Sequence, residues 1–205
     1  MKIIKVDKSR LVMFMENKNL YKRIYIDGEE FVPTIQMRRG SRFHQLASDI
    51  WNMMKIQGNK LLLPKYESED KELNIMLNNF RKLIQAKWQK HLKNGIKFFP
   101  QGIEKVYEKK ISYEGFNIRV KGIIDLIDND TIIEWKTGNI YPKHEFELNF
   151  YRWLIQICDG TDYSFGAVYY PSLHKITSFH LNKQDEVKKN IKEFLEYHEK
   201  MRWYS

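Results

Sequence analysis

Between Leu73 and Trp88 the apolar residues return every three or four positions, through Met76, Leu77, Phe80, Leu83 and Ile84. That period predicts an amphipathic helix within residues 68–94, stopped by Gly95. A second helix is expected from Ser41, which can cap it, to about Gln57 before Gly58. It would turn Phe43, Ala47, Ile50, Trp51 and Met54 inward and hold His44 in its first turn. From Ile103 to Lys136 the period shortens to two, predicting strands at 103–113, 116–127 and 131–136 that turn at Glu114-Gly115 and Asn129-Asp130 as an antiparallel meander. After Thr137-Gly138 the pattern gives an apolar helix at about 144–158, strands near 163–170 and 174–181 around Pro171-Ser172, and a last helix capped by Asn182. Residues 1–36 show only short β-favouring pieces, Tyr25-Ile26 and Phe31-Val32, around Asp27-Gly28, and read as a hairpin or irregular wrap.

This order suits an α/β fold with a mixed central β-sheet flanked by α-helices. At 205 residues the chain can bury one substantial core. We therefore expect one domain over 1–205, with an N-terminal β or irregular extension (1–36), a core (37–181) and a C-terminal helix (182–205).

Charge narrows the partner. A formal net charge of +9 favours a polyanion, since clustered Lys and Arg displace counterions from phosphates, although a solvated Lys-rich surface has the same composition. The lone cysteine, Cys158, excludes an internal disulfide and a thiolate cluster, which suits an intracellular protein. No apolar run approaches the roughly 20 residues of a membrane helix. Met1-Lys2-Ile3-Ile4-Lys5 lacks the apolar core of a signal peptide, so a soluble protein with no membrane partner is expected.

Candidate chemistry lies in Gly122-Ile123-Ile124-Asp125 and Ile132-Ile133-Glu134-Trp135-Lys136. On a hairpin turning at Asn129-Asp130, Asp125 and Glu134 can approach on one face, and Lys136, two residues on, points the same way. Two adjacent carboxylates repel unless a cation lies between them, and hard oxygen donors suit Mg2+ or Mn2+. With an ammonium beside an attacking water, this is the equipment of metal-assisted phosphodiester hydrolysis. The same triplet could be a chance surface salt bridge. Its flanks, Ile123, Ile124, Ile132, Ile133 and Trp135, argue for strands covered on both faces, where unpaired carboxylates are expensive.

Four motifs in order then resemble the PD-(D/E)xK nuclease superfamily, in its RecB-like branch, which includes cluster-free CRISPR-associated exonucleases and archaeal viral nucleases. They are Gly40-Ser41-Arg42-Phe43-His44, Gly122-Ile123-Ile124-Asp125, Glu134-Trp135-Lys136, and Glu147-Leu148-Asn149-Phe150-Tyr151. The resemblance implies a restriction-endonuclease-like core, with His44, Asp125, Glu134 and the Trp135 carbonyl as ligands of Mg2+ or Mn2+ and no iron-sulfur cluster. It makes Lys136 the catalytic lysine and places Tyr151 beside the active site, touching DNA or supporting the metal shell. Glu147 stands where the family usually has Gln, keeping acceptor oxygens for DNA but adding charge. A further family glutamate, on the strand before the aspartate motif, matches Glu104 or Glu108, and distance from Asp125 favours Glu108.

Residue by residue, other readings stay open. His44 beside Phe43 could be a packed or capping histidine, and Tyr151 could be ordinary aromatic core between Phe150 and Trp153. Arg38, Arg39 and Arg42 could hold a phosphate backbone or simply face solvent. The expected activity is a metal-dependent deoxyribonuclease, exo- or endonucleolytic, on single-stranded DNA, leaving a 5′-phosphate. It would work inside the cell, a viral protein in its host being one setting, as a monomer or an oligomer. The alternatives are a structure-specific resolvase or repair endonuclease, and a nucleic-acid-binding module without catalysis.

Overall fold

The computed structural model describes residues 3–202. Among these, a short strand, β1 (Ile4–Asp7), leads into α1 (Lys8–Glu16) and α2 (Lys18–Tyr25), followed by α3 (Ile35–Met53). A hairpin of β2 (Lys55–Gln57) and β3 (Lys60–Leu62) precedes α4 (Lys71–Asn94). The main sheet follows in β4 (Gly102–Tyr113), β5 (Phe116–Asp128) and β6 (Thr131–Trp135), then α5 (Lys143–Asp159), β7 (Phe165–Tyr170), β8 (Lys175–His180) and α6 (Gln184–Arg202).

The mixed sheet and its flanking helices are as expected, and local chemistry explains most boundaries. Asp70 caps α4 by accepting from the Glu72 and Leu73 amides, and Gly95 closes it in the left-handed conformation. The β4–β5 hairpin turns on Glu114 (φ 49°) and Gly115 (φ 81°), the paired positive φ that a two-residue turn needs. Three expectations are corrected. Residues 8–16 and 18–25 are helical, because Asp7 and Asn17 cap successive helices whose Leu11, Phe14 and Tyr21 are buried, while Phe31 and Val32 lie exposed in no strand. Helix α3 starts at Ile35 on a Thr34 cap, so His44 lies well inside it rather than in its first turn. It also ends at Met53, before the β2–β3 hairpin.

Helices cover both sheet faces. One core joins α1, α2, α5 and α6 to Ile118, Val120, Ile124 and Ile132; the other joins α3 and α4 to Leu126, Trp135 and Tyr169. Two features of β5 position the site. Antiparallel β4 runs along one edge of β5 from Phe116 to Ile127, so β1 and β6 must share the other edge. Parallel β1 covers Ile118–Lys121 and antiparallel β6 covers Leu126–Asp128, so their C-terminal ends point at each other across an unpaired gap at 122–125.

The second feature is a reversal of inside and outside. Ile118, Val120 and Ile124 face one core, yet Leu126 faces the other, so the period-two alternation inverts around Asp125. Strand β4 inverts in step: Tyr107 packs with the first core and Ile103 with the second, and between them Glu104 has φ 48°. Glu104 and Asp125 are the pair missing from an otherwise continuous register.

Gly122 fixes how closely α5 covers this gap. A Cβ there would lie 2.6 Å from Leu154 Cδ2 and 3.0 Å from Tyr151 Cε1, both buried. Gly122→Ala should therefore lower stability by about 1–3 kcal/mol through overpacking. Urea denaturation checks this, and an unchanged midpoint would contradict close packing of Leu154 and Tyr151 on Gly122.

Candidate active site

The gap in β5 exposes Asp125 to groups from three directions. The β5–β6 ladder ends at Leu126–Ile133, and the Trp135 amide donates instead to Asp125 Oδ2 at 2.6 Å. Helix α3 brings His44, whose Nδ1 lies 3.0 Å from Asp125 Oδ1 and 3.8 Å from Glu104 Oε1. Gly40, one turn earlier, lets that helix close on the end of β6, since a Cβ would meet Thr137 Oγ1 at 3.1 Å. One ligand atom from each of His44, Glu104 and Asp125 falls within 4.8 Å of the others. These residues form part of the floor of an open cleft of about 900 Å³.

Glu134 and Lys136 continue the floor on β6 and just beyond it. Lys136 Nζ lies 2.9 Å from Glu134 Oε1 and 2.5 Å from Glu147 Oε2 on α5. Lys8, the first residue of α1, reaches the same two oxygens, in contact with Glu134 and 3.4 Å from Glu147. Its ammonium also stands 4.9 Å from the centre of the Tyr151 ring. Glu134 Oε2 and Glu104 Oε1 are buried and accept no hydrogen bond.

The two core carboxyls are shifted in opposite directions. Burial pushes the Asp125 carboxyl up and Glu134 adds to the push, against His44. Burial also opposes charge on Glu134, but Lys136 and Lys8 outweigh it and hold its carboxyl down at about 2. Burial works against the imidazolium of His44 too, yet Asp125 prevails and raises it to about 10. Two buried carboxyls shifted in opposite directions, beside acid oxygens without partners, describe a site short of positive charge. A hard cation taken by His44, Glu104 and Asp125 answers that shortage, so the residues present fit a divalent metal.

The sequence model of the PD-(D/E)XK nuclease superfamily matches residues 9–202. The chain belongs to the PD-(D/E)XK nuclease superfamily. No curated protein matches its sequence significantly. Among solved structures, the crystal structure of SSO0001 is similar with 13% identity and a TM-score of 0.46, over 96% of this chain and 77% of that one. No helix among the described residues is long and apolar enough to cross a membrane.

Not every residue singled out from the sequence of this PD-(D/E)XK chain reaches the cleft. Glu104, rather than Glu108, faces His44 and Asp125; Glu108 instead pairs with Arg119 at 2.6 Å and lies 3.8 Å from Lys121. The two glutamates would share a face in an ordinary strand, and the inversion at Glu104 separates them. Arg39 is turned away from the cleft, paired with Asp70 at 2.6 Å and with Glu72, because it lies about half a turn from cleft-lining Met37. Arg42 bonds Gln45 at 2.7 Å, and Arg38 is exposed. Glu147 lines the cleft but is buried, with its Oε2 against the two lysines. Tyr151 is buried at the cleft under Lys8, so its aromatic packing and its place at the site coincide. Ile123 is 43% exposed, so β5 is not covered on both faces there.

Sequence reasoning missed Lys8 and His144. Lys8 carries a faint signal, since Ile4-Lys5-Val6 alternates as a strand and Asp7 can cap a helix, but nothing local says which strand β1 joins. His144 lines the same cleft, where burial pushes its imidazole down to about 4 and the Tyr170 hydroxyl lies 2.8 Å from Nδ1.

The Glu134 carboxyl lies lower in the folded chain than in the unfolded one. Its contribution to stability is therefore complete above the ordinary glutamate range and lost as pH falls through the folded value. In EDTA, wild-type protein should lose stability on acidification below about pH 4.5. Glu134→Gln should lose measurably less over the same span in urea titrations, and parallel curves would contradict the assignment.

Proposed function

We propose that this chain is a Mg2+- or Mn2+-dependent deoxyribonuclease of RecB-like type, acting on single-stranded DNA. The observation that carries the reading is the donor set of His44, Glu104 and Asp125, beside a Lys136–Glu134 pair, on the floor of one open cleft. Glu134 Oε2 and the Trp135 carbonyl complete the proposed metal donors. A divalent ion held there supplies the charge that stabilises a phosphate as negative charge gathers on it.

The chain's own groups do the rest. The Lys136 ammonium, anchored on Glu134, orients a water and favours its deprotonation as it attacks phosphorus. The 3′-oxygen leaves as a hydroxyl, so the product keeps a 5′-phosphate. The Trp135 amide fixes Asp125 at 2.6 Å, so this donor is in place before substrate arrives. Met37 and Tyr141, each close to half exposed on the cleft wall, supply surfaces on which unpaired bases stack, which favours single strands. Arg38 and Arg42 share a flank of α3 next to its cleft-facing strip and suit contacts with the phosphate backbone.

The test incubates circular and linear, single- and double-stranded DNA with Mg2+, Mn2+ or EDTA. Wild type should cut single strands only with metal, and Asp125→Ala should be at least about 100-fold slower. Release from linear ends alone would mark an exonuclease, and cutting of circles an endonuclease. Metal-independent binding without cleavage would replace the enzyme by a nucleic-acid-binding module.

A further inference from the structure

We propose that Lys8 is a built-in second cation of this site, a positioning residue that closes an alternating ring of charge with Glu134, Lys136 and Glu147 and holds the place a second divalent ion would take. Its ammonium and that of Lys136 each approach both Glu134 Oε1 and Glu147 Oε2. Ammonium and carboxylate oxygen therefore alternate around four corners.

Three consequences follow from that arrangement. Two positive and two negative groups cancel, so the ring is neutral. Without Lys8, two buried carboxylates would share one ammonium, and a phosphodiester would meet net negative charge. Because both ammoniums sit on Oε1 of Glu134, its Oε2 is left buried and unpartnered. Finally, two carboxylates facing one gap are the usual grip on a hard divalent ion, and nucleases with paired ions clamp a phosphate from both sides. Here the ammonium of Lys8 fills that gap, limiting the site to one ion and supplying the second positive charge from the chain itself. Tyr151 packs beneath it and leaves it 18% exposed, open to the cleft.

The effect on cleavage rests on the nuclease reading; the effect on ion stoichiometry does not. Both are read in the full chain, using Lys8→Met, Lys8→Arg, Glu147→Gln and the double variant Lys8→Met/Glu147→Gln. Calorimetry with Mn2+ and no DNA should count one ion in wild type and Lys8→Arg, two in Lys8→Met, and one again in the double variant, which has lost both charges. Single-turnover cleavage should fall about tenfold or more in Lys8→Met and recover most of that loss in the double variant, the signature of coupled groups. The proposal is overturned if Lys8→Met still binds one ion, or if its rate loss is as large in the Glu147→Gln background. Should Lys8→Met not fold, Lys8→Gln takes its place in the same count: two ions support the ring and one opposes it. Wild type that binds Mn2+ but cuts nothing would end the nuclease reading alone, and the ion counts would still judge Lys8.

Discussion

One edge of β5 is divided between two strands running towards each other, and the site exists because neither reaches the middle. A strand cannot leave backbone donors and acceptors unpaired inside a protein without cost, so something must occupy the interval at 122–125. On the β6 side, the Asp125 carboxylate takes the Trp135 amide. On the β1 side the chain turns into α1, delivering Lys8 to the same opening, while Gly122 lets Tyr151 and Leu154 close over it. The gap, the lysine and the glycine thus meet at one interruption of the ladder.

Within that opening the charges sort into two neighbourhoods. Asp125, Glu104 and His44 form an acceptor-rich pocket in which the raised imidazole of His44 answers part of the negative charge. Glu134, Glu147 and the two lysines form a group in which two ammoniums face two carboxylates. They meet where Asp125 on β5 and Glu134 on the neighbouring β6 stand side by side. The site thus sets a place that demands a cation beside one that already has its own.

The helices and strands with many turns or residues were readable in the sequence, because each repeats its period several times. Helix α4 shows seven apolar residues in register, and β4, β5 and α5 fall within a residue or two of expectation. Helices α1 and α2, nine and eight residues long, bury three large side chains between them, too few for a period to emerge. The three-residue strands β2 and β3 were invisible for the same reason. Within the site, Asp125, Glu134 and Lys136 could be placed together because a single hairpin relates them. His44 came from motif order. Lys8 depends on a parallel pairing across more than a hundred residues, and the choice between Glu104 and Glu108 depends on a backbone conformation that glutamate seldom adopts and so seldom signals.

That conformation at Glu104 bears on folding as well as chemistry. In an ordinary hairpin a slip by two residues restores every side chain to its proper face, so such errors are penalised only weakly. Here β4 and β5 each exchange their faces at one position, and the core closes only when those two positions stand opposite each other. A slipped pairing would leave residues between the reversal points on the wrong side, with an apolar group in water or a carboxylate in the interior. The longest ladder of the protein therefore carries its own alignment mark, and assembling the sheet correctly and assembling the acidic pocket are a single event.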